Sequence, residues 1–240
     1  MYSIVITAGG TSERIDNVRK ITNSSTGKLG TVIATRMIEN KGDKIDKIYY
    51  VCSKSSLRPI NEKVEVIEIV DTNDLKDTVN KLLTEKQIDC FVHSMAVADY
   101  TVDFVTTAED LARSVDNSSG TTLSAICNPD LKLVDDKISS YYDNLIIKLK
   151  RTPKIISMIK DISPSTKLVG FKLLDTVSEE QLIAVGLELK EKNKCDLVVA
   201  NDLNNIRQGN HKAVIIRGKD DYIVAAGKED IADKIIKEIM

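Results

Sequence analysis

Glycines, hydroxyls, one amide and several charged groups crowd into the connection between residues 9 and 30. Ile6-Thr7-Ala8-Gly9-Gly10-Thr11-Ser12-Glu13 ends a short apolar run, and Asp16, Arg19, Asn23, Ser25, Gly27 and Lys28 follow before helix-like sequence begins at Leu29. Glycine lets a backbone approach a phosphate closely, and N–H groups in a turn or at a helix start carry partial positive charge. The chemistry this composition suits is anion binding, which makes a phosphorylated ligand the first hypothesis and an ordinary polar β-to-α connection the alternative. The connection far exceeds the usual few residues, and long ordered connections tend to be functional. A second candidate is Met95-Ala96-Val97-Ala98-Asp99-Tyr100, small side chains and one carboxylate placed where an expected strand ends. Open parallel sheets bind ligands at such ends. Asp99 could accept a sugar hydroxyl's hydrogen bond, hold a metal–phosphate unit, or simply cap a turn.

Other chemistries find little support. Cys52, Cys90, Cys127 and Cys195 are isolated, form no C-x-x-C or Cys/His spacing, and read as structural thiols. His93 and His211 lie far from each other and from any cysteine, which argues against zinc. The formal net charge of −2, with both signs spread along 240 residues, favours neither a nucleic-acid groove nor an anionic membrane surface. No apolar stretch approaches the roughly 18 residues of a membrane helix, and the N-terminus lacks signal-peptide features, so a cytoplasmic protein is expected.

The elements that must position these residues alternate. Apolar runs at 3–7, 47–52, 64–69, 90–94, 167–171 and 196–200 read as buried strands. Amphipathic stretches at 29–40, 72–86, 152–162, 177–192 and 228–240 read as helices, with apolar residues recurring as in Leu182, Val185 and Leu189. The pattern implies an α/β fold with a mostly parallel sheet covered by helices on both faces. Residues 212–217 and 222–226 are β-branched runs around Gly218-Lys219-Asp220-Asp221, a late antiparallel hairpin. Nothing repeats, and residues 1–240 read as one domain. Residues 101–151 interrupt the alternation, with a helix near 108–115 and a strand near 144–149, and are expected to form an inserted flap or dimerisation arm.

A dinucleotide-binding oxidoreductase is the obvious competitor. The opening turn is not G-x-G-x-x-G, however, and the second strand ends in Cys52-Ser53 without the carboxylate that would hold an adenosine ribose. A G-x-x-x-x-G-K-[ST] loop is also missing. A non-catalytic nucleotide-binding module remains a third reading.

Several segments together become specific: Ile6 to Thr11, Asp16-Asn17-Val18-Arg19, Ile21-Thr22-Asn23-Ser24-Ser25-Thr26-Gly27-Lys28-Leu29-Gly30, Ala96 to Tyr100, Lys137-Ile138-Ser139-Ser140, Gly170-Phe171-Lys172 and Val199-Ala200-Asn201-Asp202. In that order they resemble phosphopantothenoylcysteine synthetase, the phosphopantothenate–cysteine ligase of coenzyme A biosynthesis, across nearly the whole chain. The resemblance implies a Rossmann-like fold, a homodimer, and a stand-alone ligase without a preceding decarboxylase domain. It further implies that a nucleoside triphosphate, CTP ahead of ATP, activates the carboxylate of 4'-phosphopantothenate as an acyl-nucleotidylate, which the amine of L-cysteine then attacks. Mg2+ is the natural bridge for the phosphates, with its ligands left open. By the same resemblance Asn23 handles the acyl-nucleotidylate, and its neutral amide can donate to the acyl oxygen. Lys137 is implied to be the lysine of a mobile flap. Ser139-Ser140 and Lys172 depart from the pattern of many bacterial members and weaken the preference for CTP. Arg19 suits a bidentate grip on phosphate or carboxylate. Gly9, Gly10, Thr11, Ser25, Gly27, Ala96, Asp99, Phe171, Lys172 and, with less secure alignment, Lys192 complete the expected nucleotide- and phosphate-binding set.

Overall fold

Alternating burial along β1 (Tyr2–Ala8) is the simplest expression of the architecture: Ile4 and Ile6 enter one hydrophobic cluster, and Val5 enters another. Successive side chains of a strand point to opposite faces, so a strand that is apolar throughout must be covered on both sides. The computed structural model describes residues 1–133 and 137–240. Its other strands are β2 (Ser12–Arg14), β3 (Lys20–Thr22), β4 (Ile45–Ser53), β5 (Val64–Ile69), β6 (Cys90–His93), β7 (Tyr100–Thr107), β8 (Leu145–Arg151), β9 (Lys167–Leu174), β10 (Leu197–Asp202), β11 (Lys212–Gly218) and β12 (Asp221–Ala226). The helices are α1 (Lys28–Lys41), α2 (Thr72–Glu85), α3 (Ala108–Asp116), α4 (Thr122–Cys127), α5 (Ile155–Ile162), α6 (Glu179–Asn193), α7 (Leu203–Arg207) and α8 (Lys228–Ile239).

The chain divides into two compact units. The first contains residues 1–11, 24–97 and 154–240, and its described residues form an eight-stranded sheet in the order β12-β11-β10-β9-β6-β1-β4-β5. From β10 to β5 neighbouring strands are parallel, and β11 and β12 add the antiparallel hairpin anticipated from the sequence. Helices α1 and α8 cover one face through Ile33, Met37, Ile231 and Ile235, while α2, α5 and α6 cover the other through Leu75, Val79, Ile159 and Leu182. The α/β reading with helices on both faces holds.

Element boundaries moved for local reasons. The helix expected from 152 begins at Ile155; Pro153 disfavours a helical conformation at Thr152. The helix expected from 177 begins at Glu179 because Ser178 accepts from the Gln181 N–H while the Gln181 side chain accepts from the Ser178 N–H. Cys52, Cys90 and Cys195 are buried, and burial pushes the thiols of Cys90 and Cys195 up to about 12, as structural thiols require.

The second unit contains residues 12–23 and 98–153. The expected insertion at 101–151 belongs to it, with 134–136 outside the described residues; residues 12–23, read from sequence as part of the opening connection, belong to it too. The helix expected near 108–115 is α3, started by the Thr107 hydroxyl accepting from the Asp110 N–H. The polar stretch before it is strand β7, paired antiparallel with β8, and β2 pairs antiparallel with β3.

Asp16 organises one corner of this unit. Its Oδ1 accepts from the N–H groups of Val18 and Arg19 at 2.8 and 2.7 Å, and its Oδ2 accepts from Arg19 Nε at 2.9 Å, Arg19 Nη2 at 2.5 Å and the Ile138 N–H at 3.1 Å. Arg19 Nη2 also donates to the Ile138 carbonyl at 2.6 Å. Donation from the Arg19 guanidinium, against the cost of burial, holds the Asp16 carboxyl far below the usual carboxylate range. A buried carboxylate requires such partners.

Two predictions follow from these contacts. Asp16→Asn should accelerate amide exchange at Val18, Arg19 and Ile138 together; unchanged exchange at Ile138 would deny the coupling between the two segments. His93, buried at the end of β6 with Nδ1 2.8 Å from Thr7 Oγ1, is held down to about 4 by burial, against an ordinary value of 6.5. The unfolded chain therefore binds a proton near pH 6.5 that the folded chain refuses until about pH 4, so stability is intact above this window and falls as pH drops through it. The loss should total on the order of 3 kcal/mol. Chemical denaturation of wild type and His93→Gln between pH 7 and 4.5 should show a shallower pH slope in the variant, and parallel slopes would contradict the assignment.

Candidate functional site

The order of strands creates the site. After β1 the chain proceeds to β4 and β5 on one side, then crosses back so that β6 lies on the other side of β1. This is a topological switch point, where the C-terminal ends of neighbouring strands part and leave a crevice. The pairing of β1 and β6 continues past the strands: Ser94 N–H donates to the Thr7 carbonyl at 3.1 Å, Ala96 N–H to the Gly9 carbonyl at 2.8 Å, and Thr11 N–H to the Ala96 carbonyl at 3.2 Å. Gly9, Gly10 and Thr11 are buried within this closed seam.

Gly9 and Gly27 explain how the connection passes over that seam. Gly9 has φ +83°, and a Cβ there would lie 1.9 Å from Ser56 Oγ; Gly27 has φ +74°, and a Cβ there would lie 3.2 Å from the Gly9 nitrogen. Only glycine suits both the left-handed backbone and the close approach. Ser53 and Ser56 hydroxyls bond each other at 2.8 Å beneath them. Tyr50, with its phenol pushed up to about 12 by burial, puts its hydroxyl 3.0 Å from Thr31 Oγ1 and 3.1 Å from the Leu57 carbonyl, and Leu57 N–H donates to the Thr26 carbonyl at 3.0 Å. Residues 24–30 are thereby held against the sheet end, with α1 starting directly after Gly27.

Above them lies a cavity of about 460 Å³ lined by residues 24–30, 94–96 and 171–173 together with Asn201, Leu203, Ile206, His211 and Lys228. Its basic residues are Lys28, Lys172, His211 and Lys228; among the described residues lining it there is no carboxylate. None of the three lysines makes an ion pair among the described residues. His211 is held below its ordinary range, first by burial and then by the charges of Lys228 and Lys28. Hydroxyls of Ser24, Ser25, Thr26 and Ser94, the start of α1 and apolar surface from Phe171 and Met95 complete the lining. Such a lining attracts an anion with an apolar portion.

The expected residues are distributed unevenly. Ser25, Gly27, Ala96, Phe171 and Lys172 line this cavity, whereas Gly9, Gly10 and Thr11 are not among its described lining residues. Gly9 is required by the close packing of the turn. Lys192 lines a different cavity, about 340 Å³, with Lys154, Ser157, Lys172, Glu188 and Asn193; Lys172 borders both. Asn23, Arg19, Asp99 and Lys137 belong to the second unit. There Asn23 is half-buried, Asp99 is exposed with its carbonyl accepting from the Thr152 N–H at 3.1 Å, and Lys137 is exposed beside buried Ile138. Arg19, expected to grip a ligand anion, commits Nε and Nη2 to Asp16 and the Ile138 carbonyl.

Sequence reasoning missed His211 and Lys228. The available signal was a repeated Gly-Lys pair, Gly27-Lys28 and Gly227-Lys228, each opening a helix after a glycine of positive φ. No group of three or more His, Cys, Asp or Glu suited to a metal occurs among the described residues, and none of their helices is long and apolar enough to cross a membrane.

Comparison with known proteins gives a consistent assignment. A protein of Thermococcus kodakarensis named "Coenzyme A biosynthesis bifunctional protein CoaBC" is 30% identical over 238 residues, covering 98% of this chain and 50% of that protein. The chain spans about half the length of the curated relatives it matches in Thermococcus and Methanocaldococcus. The crystal structure of the "DNA/Pantothenate Metabolism Flavoprotein" from Streptococcus pneumoniae superposes with TM-score 0.86 at 33% identity, covering 100% of this chain and 98% of that one. The C-terminal domain of a CoaBC protein superposes with TM-score 0.69 at 22% identity, covering 99% and 93%, and speaks for the fold. The family described as "DNA/pantothenate metabolism flavoprotein C-terminal domain" matches residues 2–132 and 105–240, and this chain belongs to that family.

Proposed function

We propose that this chain is a phosphopantothenate–cysteine ligase acting in coenzyme A biosynthesis, joining 4'-phosphopantothenate to L-cysteine through an acyl-nucleotidylate. The observation that carries the reading is the cavity at the switch point, rimmed by four basic side chains and no carboxylate among its described lining residues. Two highly anionic substrates must be brought together in this reaction, and fixed cations offset their repulsion. In the first step a carboxylate oxygen attacks the nucleotide α-phosphorus and pyrophosphate leaves. In the second, the cysteine amine attacks the acyl carbon and the nucleoside monophosphate leaves. An amine needs deprotonation and orientation rather than a protein nucleophile, which agrees with the burial of Cys52, Cys90 and Cys195 and the upward push it gives their thiols.

Phe171, Ala96 and Ser25 are assigned to the nucleotide, with CTP ahead of ATP; Lys172 borders it, and Lys154, Lys172 and Lys192 in the neighbouring cavity supply further positive charge for phosphates. Asp99 is kept as a candidate ribose contact. Mg2+ is read as part of the nucleotide substrate: the cavity offers amides, hydroxyls and cations, not the carboxylate oxygens that would hold it as a resident ion. Asn23 is assigned the acyl oxygen, Lys137 the phosphates as a flap cation, and Arg19 the grip on a substrate phosphate or carboxylate. Exposed Leu123, Ile126, Tyr141 and Tyr142 of the second unit support its use as a homodimer arm. The cytoplasm is the compartment this activity requires.

The direct check is pyrophosphate release with CTP or ATP, with and without phosphopantothenate and cysteine. Release that requires phosphopantothenate, followed by amide formation only with cysteine, is expected; no substrate-dependent release with either nucleotide would end the proposal. Asn23→Ala should release pyrophosphate in a single turnover and accumulate the activated acyl species, and normal steady-state turnover would remove Asn23 from its role. Lys137→Gln should slow pyrophosphate release on the order of a hundredfold with an unchanged melting temperature. An unaltered rate would exclude the flap lysine.

A further inference from the structure

We infer that Lys28, His211 and Lys228 form a dedicated phosphate subsite within the 460 Å³ cavity, an inference that rests on the ligand being the phosphorylated one proposed above. Lys28 and Lys228 open α1 and α8, and His211 immediately precedes β11; the sheet order and the packing of α1 beside α8 bring them to one wall.

The His211 ring is specifically prepared. Lys228 Nζ lies 3.3 Å from His211 Nδ1, and Gly227 N–H donates to the His211 carbonyl at 2.8 Å. An ammonium group can only donate, so Nδ1 must be the acceptor and the neutral ring carries its proton on Nε2. The pair therefore offers an N–H donor beside a full positive charge, the combination that binds phosphate oxygens. Charges acting on the ring are Lys228 and Lys28, which resist its protonation, and Glu229, which favours it. With no carboxylate among the described residues lining the cavity, an anion entering it would offset the repulsion among these cations.

The phosphate could be the triphosphate of the nucleotide or the phosphomonoester of the acyl substrate, and binding measurements separate them. Calorimetric titration of tripolyphosphate, CTP, 4'-phosphopantothenate and unphosphorylated pantothenate into wild type, His211→Gln and Lys228→Met is the experiment, with thermal melts confirming the fold of each. At least one phosphate-bearing probe should lose roughly tenfold in affinity in both variants, while any pantothenate binding stays unchanged. Loss for CTP and tripolyphosphate places the triphosphate there; loss confined to phosphopantothenate places the monoester there. A bound phosphate favours imidazolium, so wild-type affinity for that probe should rise more steeply between pH 7.5 and 6 than that of His211→Gln. Equal affinities in all three proteins, equal pH slopes in wild type and His211→Gln, or absence of binding of every phosphate-bearing probe to wild type would overturn the inference. Weakened binding in the variants without ligase turnover by wild type would leave the subsite standing and refute the ligase reading.

Discussion

Uncompensated positive charge at the C-terminal end of the sheet is the constraint around which the first unit is arranged. Lys28, Lys172, His211 and Lys228 border one cavity with no carboxylate among its described lining residues, although the chain as a whole carries slightly more acidic than basic residues. Some other basic residues of this unit are paired, as in Arg36 with Asp233 or Lys160 with Asp196. Leaving charges unpaired at a half-buried site costs stability. That cost is offset where a bound ligand supplies the opposite sign.

The fold delivers those charges by topology more than by loop design. Reversal of strand order between β1 and β6 opens the crevice, and the common face shared by α1 and α8 brings two helix starts to it. The glycine turn acts beneath this arrangement. Gly9 and Gly27, both with left-handed backbones, let two backbone segments and the Ser53–Ser56 pair stack closely, and at Gly9 the approach leaves no room for a side chain; Tyr50, Thr31 and Leu57 tie the stack together. The cavity-lining residues 24–30 are thus held by groups that do not themselves line the cavity.

In the second unit the corresponding organiser is a buried carboxylate. Asp16 joins the 16–19 turn to Ile138 by hydrogen bonds from both segments, and Arg19 closes the ring through the Ile138 carbonyl. Lys137 stands at the edge of that ring. An arginine that looks from its sequence like an anion clamp also braces this corner, through Nε and Nη2. A guanidinium satisfies a buried carboxylate and a ligand phosphate by the same bidentate geometry.

Periodicity alone was enough to reveal the parallel α/β sheet, its two helical layers and the late hairpin, because burial on both faces forces continuous apolar strands and amphipathic helices. The motif around Asn23 to Gly30 marked a segment that lines the cavity, because glycine and hydroxyl composition is itself local chemistry. Strand β7 escaped notice since its pairing with β8 spans roughly forty to fifty residues and only its second half is buried. The grouping of residues 12–23 with 98–153, the burial of Gly9 to Thr11, the bracing of Arg19 and the meeting of Lys28 with His211 and Lys228 were decided only by tertiary structure. Each depends on contacts between segments distant in the chain, and residue spacing carries no record of which distant segments will share a wall.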